Sequence, residues 1–505
     1  MWTYLGEAFM TLCSFEVLML CIVGGIIGIV LGAVPGLSGG TGMMLVLPMT
    51  YAMDPVTAVA LLCSIYVGGV SGGFIGSILV GIPGTNGSVA TVFDGYEFTK
   101  RGDPVTALSV GTVANFIGTL PSVIIAMFCA SWVASFAVNM GPWELFSLSM
   151  CAMVMVSSLS EGNMMKGLMG VGLGLAFTTI GRAPVSGTVR FTFGSYHLSA
   201  GLPLVCVCMG VFAGRTILLE YAKAERMGDS GPQIKVGGFK LPKGEYIREK
   251  VNIIRSFIIG LFIGFLPGLG SGLSNVVAYT MAKNGDKHPE KFGTGCTAGV
   301  WAPEVANNAS VGGAIIPMIA LGIPGDAQTA LLLSGFVIQG VEAGPLLIRN
   351  NPSIVYMIYA SLIFCAVAIL LIEVLGMRAF PMLLKAPYHL LYPAILVLCF
   401  VGAYVSVGNT FAIFLAVICT LFGVWMAYAN IPTTPFLLAF ILGNNVEKYL
   451  RNGVSYSPEY GLFSFFVRPV SCALLLLAIF LLFWPMVRSA WRRKHPPEIQ
   501  VMEED

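Results

Sequence analysis

Two apolar runs of this chain are interrupted by the same Pro-Gly motif, and a second pair of motifs follows each copy at nearly the same distance. The first motif reads GIVLGAVPGLSGG at Gly28–Gly40 and GLFIGFLPGLGSG at Gly260–Gly272. The second reads SGGFIGSILVGIPGT at Ser71–Thr85 and GGAIIPMIALGIPGD at Gly312–Asp326. Because proline removes a helical hydrogen bond and glycine weakens a helix, each motif predicts a break in an apolar helix. The duplication predicts two homologous halves.

Composition places these helices in a membrane. Hydrophobic residues make up 56% of the chain and charged residues only 10%, whereas soluble domains carry about 25% charged residues. Long apolar stretches recur throughout, which predicts an all-α polytopic membrane protein with roughly ten to twelve transmembrane helices at ~20 residues per span. The segment Met1–Met10 has no basic residue, so we expect a retained span and not a cleaved signal peptide. The net charge of +2 indicates no nucleic-acid partner.

Charge distribution predicts the domain organisation. The base-rich segment 220–255 is expected to be a cytoplasmic loop between a first transmembrane half, 1–219, and a second half, 256–487, with a cytoplasmic tail at 488–505. Equivalent loops of the two halves carry opposite charge bias, which favours inverted-topology repeats. Pro267–Gly272 is then either the tip of a re-entrant hairpin or part of a single tilted span.

Polar residues within the apolar runs concentrate at the repeated motifs. A broken helix exposes N–H groups at its N-terminus, which suit a carboxylate, while freed carbonyl and side-chain oxygens suit Na⁺. We therefore expect an anion and a coupling Na⁺ or H⁺ to bind between the halves. The predicted substrate-binding residues are Gly36, Ser38, Gly39, Gly40, Pro83, Gly84, Thr85, Asn86, Gly268, Gly270, Ser271, Asn307, Asn308 and Gly325. The predicted ion-coupling residues are Ser274, Asn275, Glu304 and Asp326.

Several of these polar and small residues also have a structural interpretation. Glu304 is predicted either to couple an ion or to cap a helix that starts after Pro303, and Asp326 either to bind a cation or to cap the next helix. Arg190 is interpreted as a solvated loop residue, with attraction of an anion as the alternative. Small residues spaced by four favour helix packing over a site, and this applies to Gly24, Gly28, Gly32, Gly68, Gly72 and Gly76.

The chain resembles the TctA family, the large membrane subunit of tripartite tricarboxylate transporters. The family's motifs occur in order through both halves: GAVPGLSGG (Gly32–Gly40), DPVTAVALLCSIYVGG (Asp54–Gly69), GIPGT (Gly81–Thr85), FDGY (Phe93–Tyr96), RFTFG (Arg190–Gly194), LPGLGSG (Leu266–Gly272), APEVANNAS (Ala302–Ser310) and GIPG (Gly322–Gly325). The chain departs from the usual family residue at Ser71, Ala183 and Asp326.

The resemblance implies the permease subunit of a secondary importer for a tricarboxylate or related organic carboxylate in a bacterial inner membrane. Its implied partners are a small four-helix membrane subunit and a periplasmic solute-binding protein. The chain has no P-loop, which agrees with energy from a Na⁺ or H⁺ gradient.

An intramembrane enzyme is the alternative function, and a non-transporting scaffold is another. An enzyme would need a catalytic or metal cluster within the spans. The four histidines lie near loops or ends, and the cysteines lack metal-ligand spacing, so no cofactor or metal site is expected. Broken helices with polar tips argue against a scaffold.

Overall fold

The chain forms two compact units. A computed structural model describes residues 2–159, 164–224, 236–384 and 388–494. The first unit comprises Met1–Asn139 and Gly194–Ala429, and the second comprises Met140–Phe193 and Asn430–Asp505. Residues 225–235 of the predicted cytoplasmic loop and residues 495–505 of the predicted tail lie outside the described residues.

Regular structure in the described residues is almost entirely helical. As far as Ala224 the helices are α1 (Trp2–Leu12), α2 (Phe15–Ala33), α3 (Gly39–Val46), α4 (Pro55–Val80), α5 (Thr91–Lys100), α6 (Pro104–Ala137), α7 (Pro142–Leu159), α8 (Met164–Thr178), α9 (Leu204–Cys208) and α10 (Arg215–Ala224). The later helices are α11 (Glu245–Arg248), α12 (Lys250–Phe265), α13 (Gly270–Gly285), α14 (Ala298–Leu321), α15 (Ala327–Ile338), α16 (Leu347–Asn350), α17 (Pro352–Gly376), α18 (Phe380–Leu383), α19 (Tyr388–Val407), α20 (Phe411–Tyr428), α21 (Thr433–Tyr456), α22 (Ser464–Val467) and α23 (Pro469–Lys494). Strands β1 (Gly181–Arg182) and β2 (Val189–Arg190) form one antiparallel pair.

Length and apolarity identify the candidate membrane spans. Six stretches of the described chain qualify: Phe15–Ala33, Pro55–Val80, Pro104–Ala137, Leu204–Ala222, Pro352–Leu383 and Phe411–Tyr428. A seventh span is possible if Gly461–Val467 and Pro469–Phe483, bent by 96°, cross together. The predicted all-α polytopic membrane protein is confirmed. The predicted ten to twelve spans exceed this number. Some helices of the described chain, such as α13, are too short to cross a membrane, and others, such as α14, are long enough but less apolar.

The first repeated motif forms the tip of a helical hairpin in each half. In the second half, α12 and α13 each contain 16 residues, or ~24 Å at 1.5 Å per residue, which is shorter than the ~30 Å bilayer core. The Arg255 guanidinium near the start of α12 lies beside Gly285 at the end of α13. The two arms therefore return to the same side, as in the re-entrant alternative. In the first half, Gly42 of α3 folds back against Leu31 of α2.

Glycines bring the hairpin helices into close contact with α4 and α14. Gly28 and Gly32 of α2 face the backbone of α4, and Gly72 of α4 faces the Ile29 carbonyl of α2. All six glycines predicted to serve packing lie at contacts of this kind, so that prediction is confirmed. In the second half, Gly260 faces the Ala306 carbonyl of α14 in the same way.

The second motif ends α4 and α14 by the same local geometry. Gly81 and Gly322 are the C-caps, with φ values of 70° and 71° in the left-handed region, which glycine adopts without steric penalty. Beyond each cap the chain turns back against the hairpin helix: Gly84 abuts the Gly32 carbonyl, and Gly325 lies near the Gly264 carbonyl. The motif segments of the two halves thus share the same local geometry.

The two halves exchange their packing partners. Helix α6 of the first half packs on α14 of the second, and α17 of the second packs on α4 of the first. Likewise α3 packs on α15, and α13 packs on the short turn Asn86–Ser88. The first unit therefore contains the motif segments of both halves in one core. The predicted boundaries of the halves and their inverted orientation remain predictions.

The second unit is built from α7, α8, α21, α22 and α23. The Trp143 indole N–H lies 3.1 Å from the Gly453 carbonyl and 3.0 Å from the Ser464 hydroxyl. The Arg190 guanidinium donates two hydrogen bonds of 2.9 Å to the Glu447 carboxylate. Arg190 is therefore an ion-paired, half-buried residue, and the interpretation of a solvated loop residue was wrong because its partner lies far away in sequence.

Candidate functional site

Half-site one is the place where Ser38–Gly40, at the start of α3, meets Asp326–Thr329, at the start of α15. Ser38 is the N-cap of α3, and its hydroxyl accepts a hydrogen bond from the Thr41 N–H at 3.4 Å. Gln328 lies beside both Gly39 and Gly40, and a methyl group on Gly39 would lie 3.0 Å from its Oε1. That buried oxygen has no hydrogen-bond partner among the described residues. An unpaired acceptor therefore faces the N-terminus of α3.

Asp326 caps α15. Its Oδ1 accepts the Thr329 N–H at 2.7 Å, and the Thr329 hydroxyl accepts the Asp326 N–H in return at 2.9 Å. This reciprocal arrangement is a capping box. The Tyr66 hydroxyl of α4 donates to Asp326 Oδ2 at 2.9 Å. The capping interpretation describes Asp326 in this structure, and its role in ion coupling remains a prediction.

Half-site two is the place where Ser271–Asn275, in the first turns of α13, meets Asn86–Ala90 after the break of α4. The Asn275 side chain accepts the Ala90 N–H at 3.1 Å and donates to the Asn86 carbonyl at 3.0 Å. The Ser274 hydroxyl donates to the Ser271 carbonyl at 3.1 Å. These bonds tie the hairpin tip of the second half to the broken helix of the first.

Asn307 presents an unpaired acceptor to half-site two. It lies in the middle of α14 and is fully buried. Its Nδ2 donates to the Val70 carbonyl of α4 at 3.2 Å. Its Oδ1 faces Gly87 and finds no partner in the part of the chain that the structure describes. Buried polar atoms are normally hydrogen-bonded, so an unpaired buried oxygen is a place where a ligand or ion can bind.

The tip of the α12–α13 hairpin touches both helix breaks. The Gly268 N–H donates to the Gly325 carbonyl at 2.7 Å. A methyl group on Gly270 would lie 2.6 Å from Asp326 Cβ, and one on Gly272 would lie 3.7 Å from Asn86 Cβ. The N-terminus of α13 therefore lies between the break of α4 and the break of α14, and the two half-sites are neighbours.

Glu304 lies inside α14 and not at its end. The helix begins at Ala298 and continues through Pro303, so the expected cap after Pro303 is wrong. The carboxylate is fully buried, accepts the Thr91 hydroxyl at 2.5 Å, and lies 3.4 Å from the Asn307 side-chain amide. A fully buried carboxylate with no basic partner among the described residues agrees with a functional role, and ion coupling by Glu304 remains a prediction.

Asn308 is the centre of a buried amide network. Its Oδ1 accepts the Ser71 hydroxyl at 3.0 Å and the Thr119 hydroxyl at 3.2 Å. Its Nδ2 donates to Asn115 Oδ1 at 2.6 Å. Asn308 thus joins α14 to α4 and α6 and is next in sequence to the Asn307 acceptor.

Glu373 is a buried carboxylate that the sequence interpretation missed. It lies in α17, has no exposed surface, and receives the Asn115 side-chain N–H at 3.4 Å on each oxygen. The signal was present, because an acidic residue within an apolar span defaults to a functional hypothesis. It was overlooked because the surrounding stretch, AILLIEVLG, contains no repeated motif.

The remaining predicted substrate residues make turns at the edges of these half-sites. Gly36 adopts a φ of 84° and lies against the Glu220 side chain. Pro83 follows the break of α4, Gly84 donates to the Gly73 carbonyl at 3.3 Å, and the Thr85 hydroxyl lies 3.5 Å from that of Ser88. The structure accounts for their backbone geometry, and substrate contact by all the predicted residues stays a prediction.

Together the half-sites combine two kinds of chemistry. The first turns of α3 and α13 start helices, whose leading N–H groups lack intrahelical acceptors and attract anions. The unpaired amide oxygens of Asn307 and Gln328 are acceptors that suit a cation or a hydrogen-bond donor. Duplicated broken helices that converge on such groups are typical of membrane transporters.

Comparison with known proteins gives the family. The model of the tripartite tricarboxylate transporter TctA family matches residues 18–438. The chain belongs to the TctA family, is a subunit of a tricarboxylate transporter, and is a multi-pass membrane protein.

Two Agrobacterium vitis proteins are similar to the chain. One, described as an uncharacterized 52.8 kDa protein in the TAR-I ttuC' 3' region, is 31% identical over 472 residues, which cover 93% of each chain. The other, an uncharacterized protein in the TAR-II ttuC' 3' region, is 31% identical over 233 residues, or 46% of this chain and 96% of the relative. No solved structure matches the chain significantly.

Proposed function

We propose that this protein is the permease subunit of a binding-protein-dependent secondary transporter that imports a tricarboxylate or related organic carboxylate. A Na⁺ or H⁺ gradient drives import across a bacterial inner membrane. A periplasmic solute-binding protein delivers the substrate, and a small four-helix membrane subunit completes the complex. Membership of a family named for tripartite tricarboxylate transporters supports both partners and the substrate class.

The convergence of the broken helices carries this proposal. Gly268 bonds to Gly325 at 2.7 Å, and Gly272 lies beside Asn86, so the α13 N-terminus is in contact with the breaks of both halves. A substrate held there touches both halves of the chain. Movement of one half against the other then exposes the substrate to opposite sides of the membrane in turn.

Carboxylate chemistry follows from the groups at this place. Helix N-termini provide N–H donors without burying a positive side chain. The neighbouring oxygens of Asn307 and Gln328 would repel a bare anion, so their presence favours binding of a cation together with the carboxylate. Binding both ions together lowers the net charge that has to be buried in the membrane.

Transport by the complete complex in liposomes tests the proposal. The chain is reconstituted with its small membrane subunit and solute-binding protein, and uptake of radiolabelled citrate and a panel of dicarboxylates is measured. We expect uptake only when a Na⁺ or pH gradient is imposed. Uptake that is independent of both gradients would refute coupling. Absence of uptake for every carboxylate that the solute-binding protein binds would refute the transport function.

Single substitutions test the location of the site. Ser38→Ala and Asn308→Ala are expected to lower uptake about 10- to 100-fold, the equivalent of losing a charge-assisted hydrogen bond of ~1.5–3 kcal/mol. Ser406→Ala is a matched control, because its hydroxyl bonds only within its own helix in the described structure. Assembly of each variant is checked by co-purification of the three proteins. Unchanged uptake by both variants would assign Ser38 and Asn308 to packing alone.

A further inference from the structure

We propose that Glu373 binds the proton whose gradient drives transport, and that the Asn115–Asn308 pair links this site to half-site two. The proposal rests on the proposed function, because it names the coupling ion of that transporter. Neither the repeated motifs nor the TctA resemblance points to Glu373.

The position of Glu373 requires that its charge be neutralised during the cycle. It lies in α17 without exposed surface, and no ion pair to it occurs among the described residues. An isolated carboxylate in such surroundings is costly, and the cost disappears when the carboxylate binds a proton or a cation. Arg378, just beyond the end of α17, does not provide that charge, because its guanidinium lies beside Gly238.

The neighbours of Glu373 favour a proton over Na⁺. The Asn115 Nδ2 is 3.4 Å from both carboxylate oxygens and is itself held by the Ser71 carbonyl at 3.1 Å. An N–H donor directed at both oxygens occupies the direction from which a metal cation would approach, and it repels that cation. A proton needs only one lone pair. The second carboxylate oxygen can then keep the Asn115 hydrogen bond.

A second buried group marks the same place. The hydroxyl of Thr112 on α6 lies near the Glu373 carboxyl and forms no hydrogen bond within the described ranges. A hydroxyl can donate to an ionised carboxylate or accept the O–H of a protonated one. Glu373 therefore has a neighbour that can hydrogen-bond either of its protonation states.

In the described structure the groups around Glu373 are one carboxylate and several uncharged polar side chains. Glu304 on α14 is the group whose charge acts on Glu373 in the described structure. Helices α6 and α4 present the uncharged groups of Thr112, Asn115 and Ser71. Because like charges repel, ionisation of Glu304 and of Glu373 oppose each other, and a cation bound near Glu304 would relieve that repulsion.

The Asn115–Asn308 pair provides the mechanical link. Asn115 Oδ1 accepts the Asn308 amide at 2.6 Å, which fixes the Asn115 amide so that its Nδ2 faces both the Ser71 carbonyl and Glu373. Asn308 is on α14, the helix that also carries Asn307 of half-site two. Movement of α14 relative to α6 and α17 would break this bond and remove the fixed donor from Glu373. Proton affinity then differs between the two conformations, which is the requirement for coupling.

The proton step is balanced without any other reactant. On the outer side the Glu373 carboxylate takes a proton from water and forms a neutral carboxylic acid. On the inner side the O–H bond breaks, the proton returns to water, and the carboxylate is restored. One positive charge crosses per cycle through this residue, together with the carboxylate substrate.

Glu373→Gln separates coupling from substrate movement. In liposomes with the complete complex, a one-unit pH gradient supports about tenfold accumulation of citrate per proton. We expect Glu373→Gln to lose this accumulation, about tenfold, while it still exchanges internal for external labelled citrate. Glu342→Gln, which removes an exposed carboxyl, is the matched control and keeps both activities. Accumulation by Glu373→Gln equal to the wild type, or accumulation driven by Na⁺ alone, would overturn the proposal.

Infrared difference spectroscopy tests proton binding without transport. The full chain in lipid nanodiscs is titrated with pH, and the carboxylic-acid signal is compared between the wild type, Glu373→Gln and Glu342→Gln. We expect a buried carboxylic-acid signal that only Glu373→Gln lacks. An unchanged signal in Glu373→Gln would overturn the proposal. If the wild type shows no transport but has this signal, the proposed function fails while Glu373 still binds a proton, so the two failures are distinguishable.

Discussion

Replacing Asp94 with alanine is expected to destabilise the first unit severely, whereas asparagine should be tolerated far better. Asp94 is a fully buried residue of α5. Its Oδ1 accepts the backbone N–H groups of Gly295 at 2.8 Å and Cys296 at 2.9 Å, and Gly293 donates to both oxygens at 3.0 Å. The Tyr279 hydroxyl donates to Oδ2 at 2.9 Å. One carboxylate therefore holds the loop that leads into α14.

The size of the effect follows from these bonds. Alanine leaves the three N–H groups and the Tyr279 hydroxyl without their acceptor. Gly293 is exposed, so its N–H can bond to water. Each of the other three donors costs ~1–3 kcal/mol when unsatisfied, so the total is roughly 3 kcal/mol or more. Asparagine keeps an acceptor at Oδ1, and its amide can donate to the Tyr279 oxygen. It loses only the charge assistance, about 1–3 kcal/mol. The expected order of stability is wild type, Asp94→Asn, Asp94→Ala.

Thermal unfolding of the full chain in detergent, followed by intrinsic fluorescence and by size-exclusion chromatography after heating, measures this order. Asp103→Ala is the control, because Asp103 is an exposed N-cap of α6 whose loss costs only ~0.5–2 kcal/mol. If Asp94→Ala unfolded at the same temperature as Asp103→Ala or the wild type, the carboxylate would not hold the loop as argued. Equal destabilisation by alanine and asparagine would refute the hydrogen-bond accounting.

Two further substitutions test packing in each unit. Gly69→Ala would place a methyl group against the Gly39 backbone, so we expect loss of folded protein in size-exclusion chromatography. In the control Gly6→Ala the added methyl group meets nothing within 4 Å, so this variant should behave as wild type. A normal yield of Gly69→Ala would contradict the close approach of α3 to α4. Arg190→Ala removes the bidentate partner of the half-buried Glu447 carboxylate, whose remaining ion pair is with Arg451 at 2.8 Å. We expect a lower unfolding temperature of the second unit, because one cation then has to compensate the carboxylate alone. An unchanged unfolding temperature would contradict the ion-pair explanation.

The sequence predicted those features that depend on local chemistry. Pro-Gly interruptions and the left-handed glycines at positions 81 and 322 fixed where α4 and α14 end, because backbone geometry is encoded by the residues at the turn itself. The glycine spacing on α2 likewise predicted a helix-packing face, and the structure shows that α4 is its partner. The same rules predicted the all-helical membrane class, and they gave the hairpin at Pro267–Gly272 as one of two alternatives.

Contacts between segments that are distant in the sequence could not be predicted in the same way. Arg190 pairs with Glu447, and Asp94 with the loop before α14, across long sequence separations that carry no local signal. The capping alternative for Glu304 places the start of α14 after Pro303, which is too late, because proline is tolerated inside membrane helices whose neighbours satisfy the freed groups. Glu373 could have been predicted as a functional residue from the rule for acidic residues in membrane spans. Its contact with Asn115 could be found only from the three-dimensional fold.

The approximate symmetry of the two halves makes their differences informative. Tyr66 on α4 and Asn307 on α14 both reach across to the broken segment of the other half, but Tyr66 is satisfied by Asp326 whereas Asn307 Oδ1 is unpaired. In half-site one the unpaired oxygen belongs instead to Gln328, at the start of α15. The unpaired oxygen of half-site two is therefore on α14 itself. The next residue on that helix, Asn308, bonds to Asn115. It follows that changes at Gln328 should alter substrate affinity alone, whereas changes at Asn307 should alter affinity and ion coupling together, because α14 carries both.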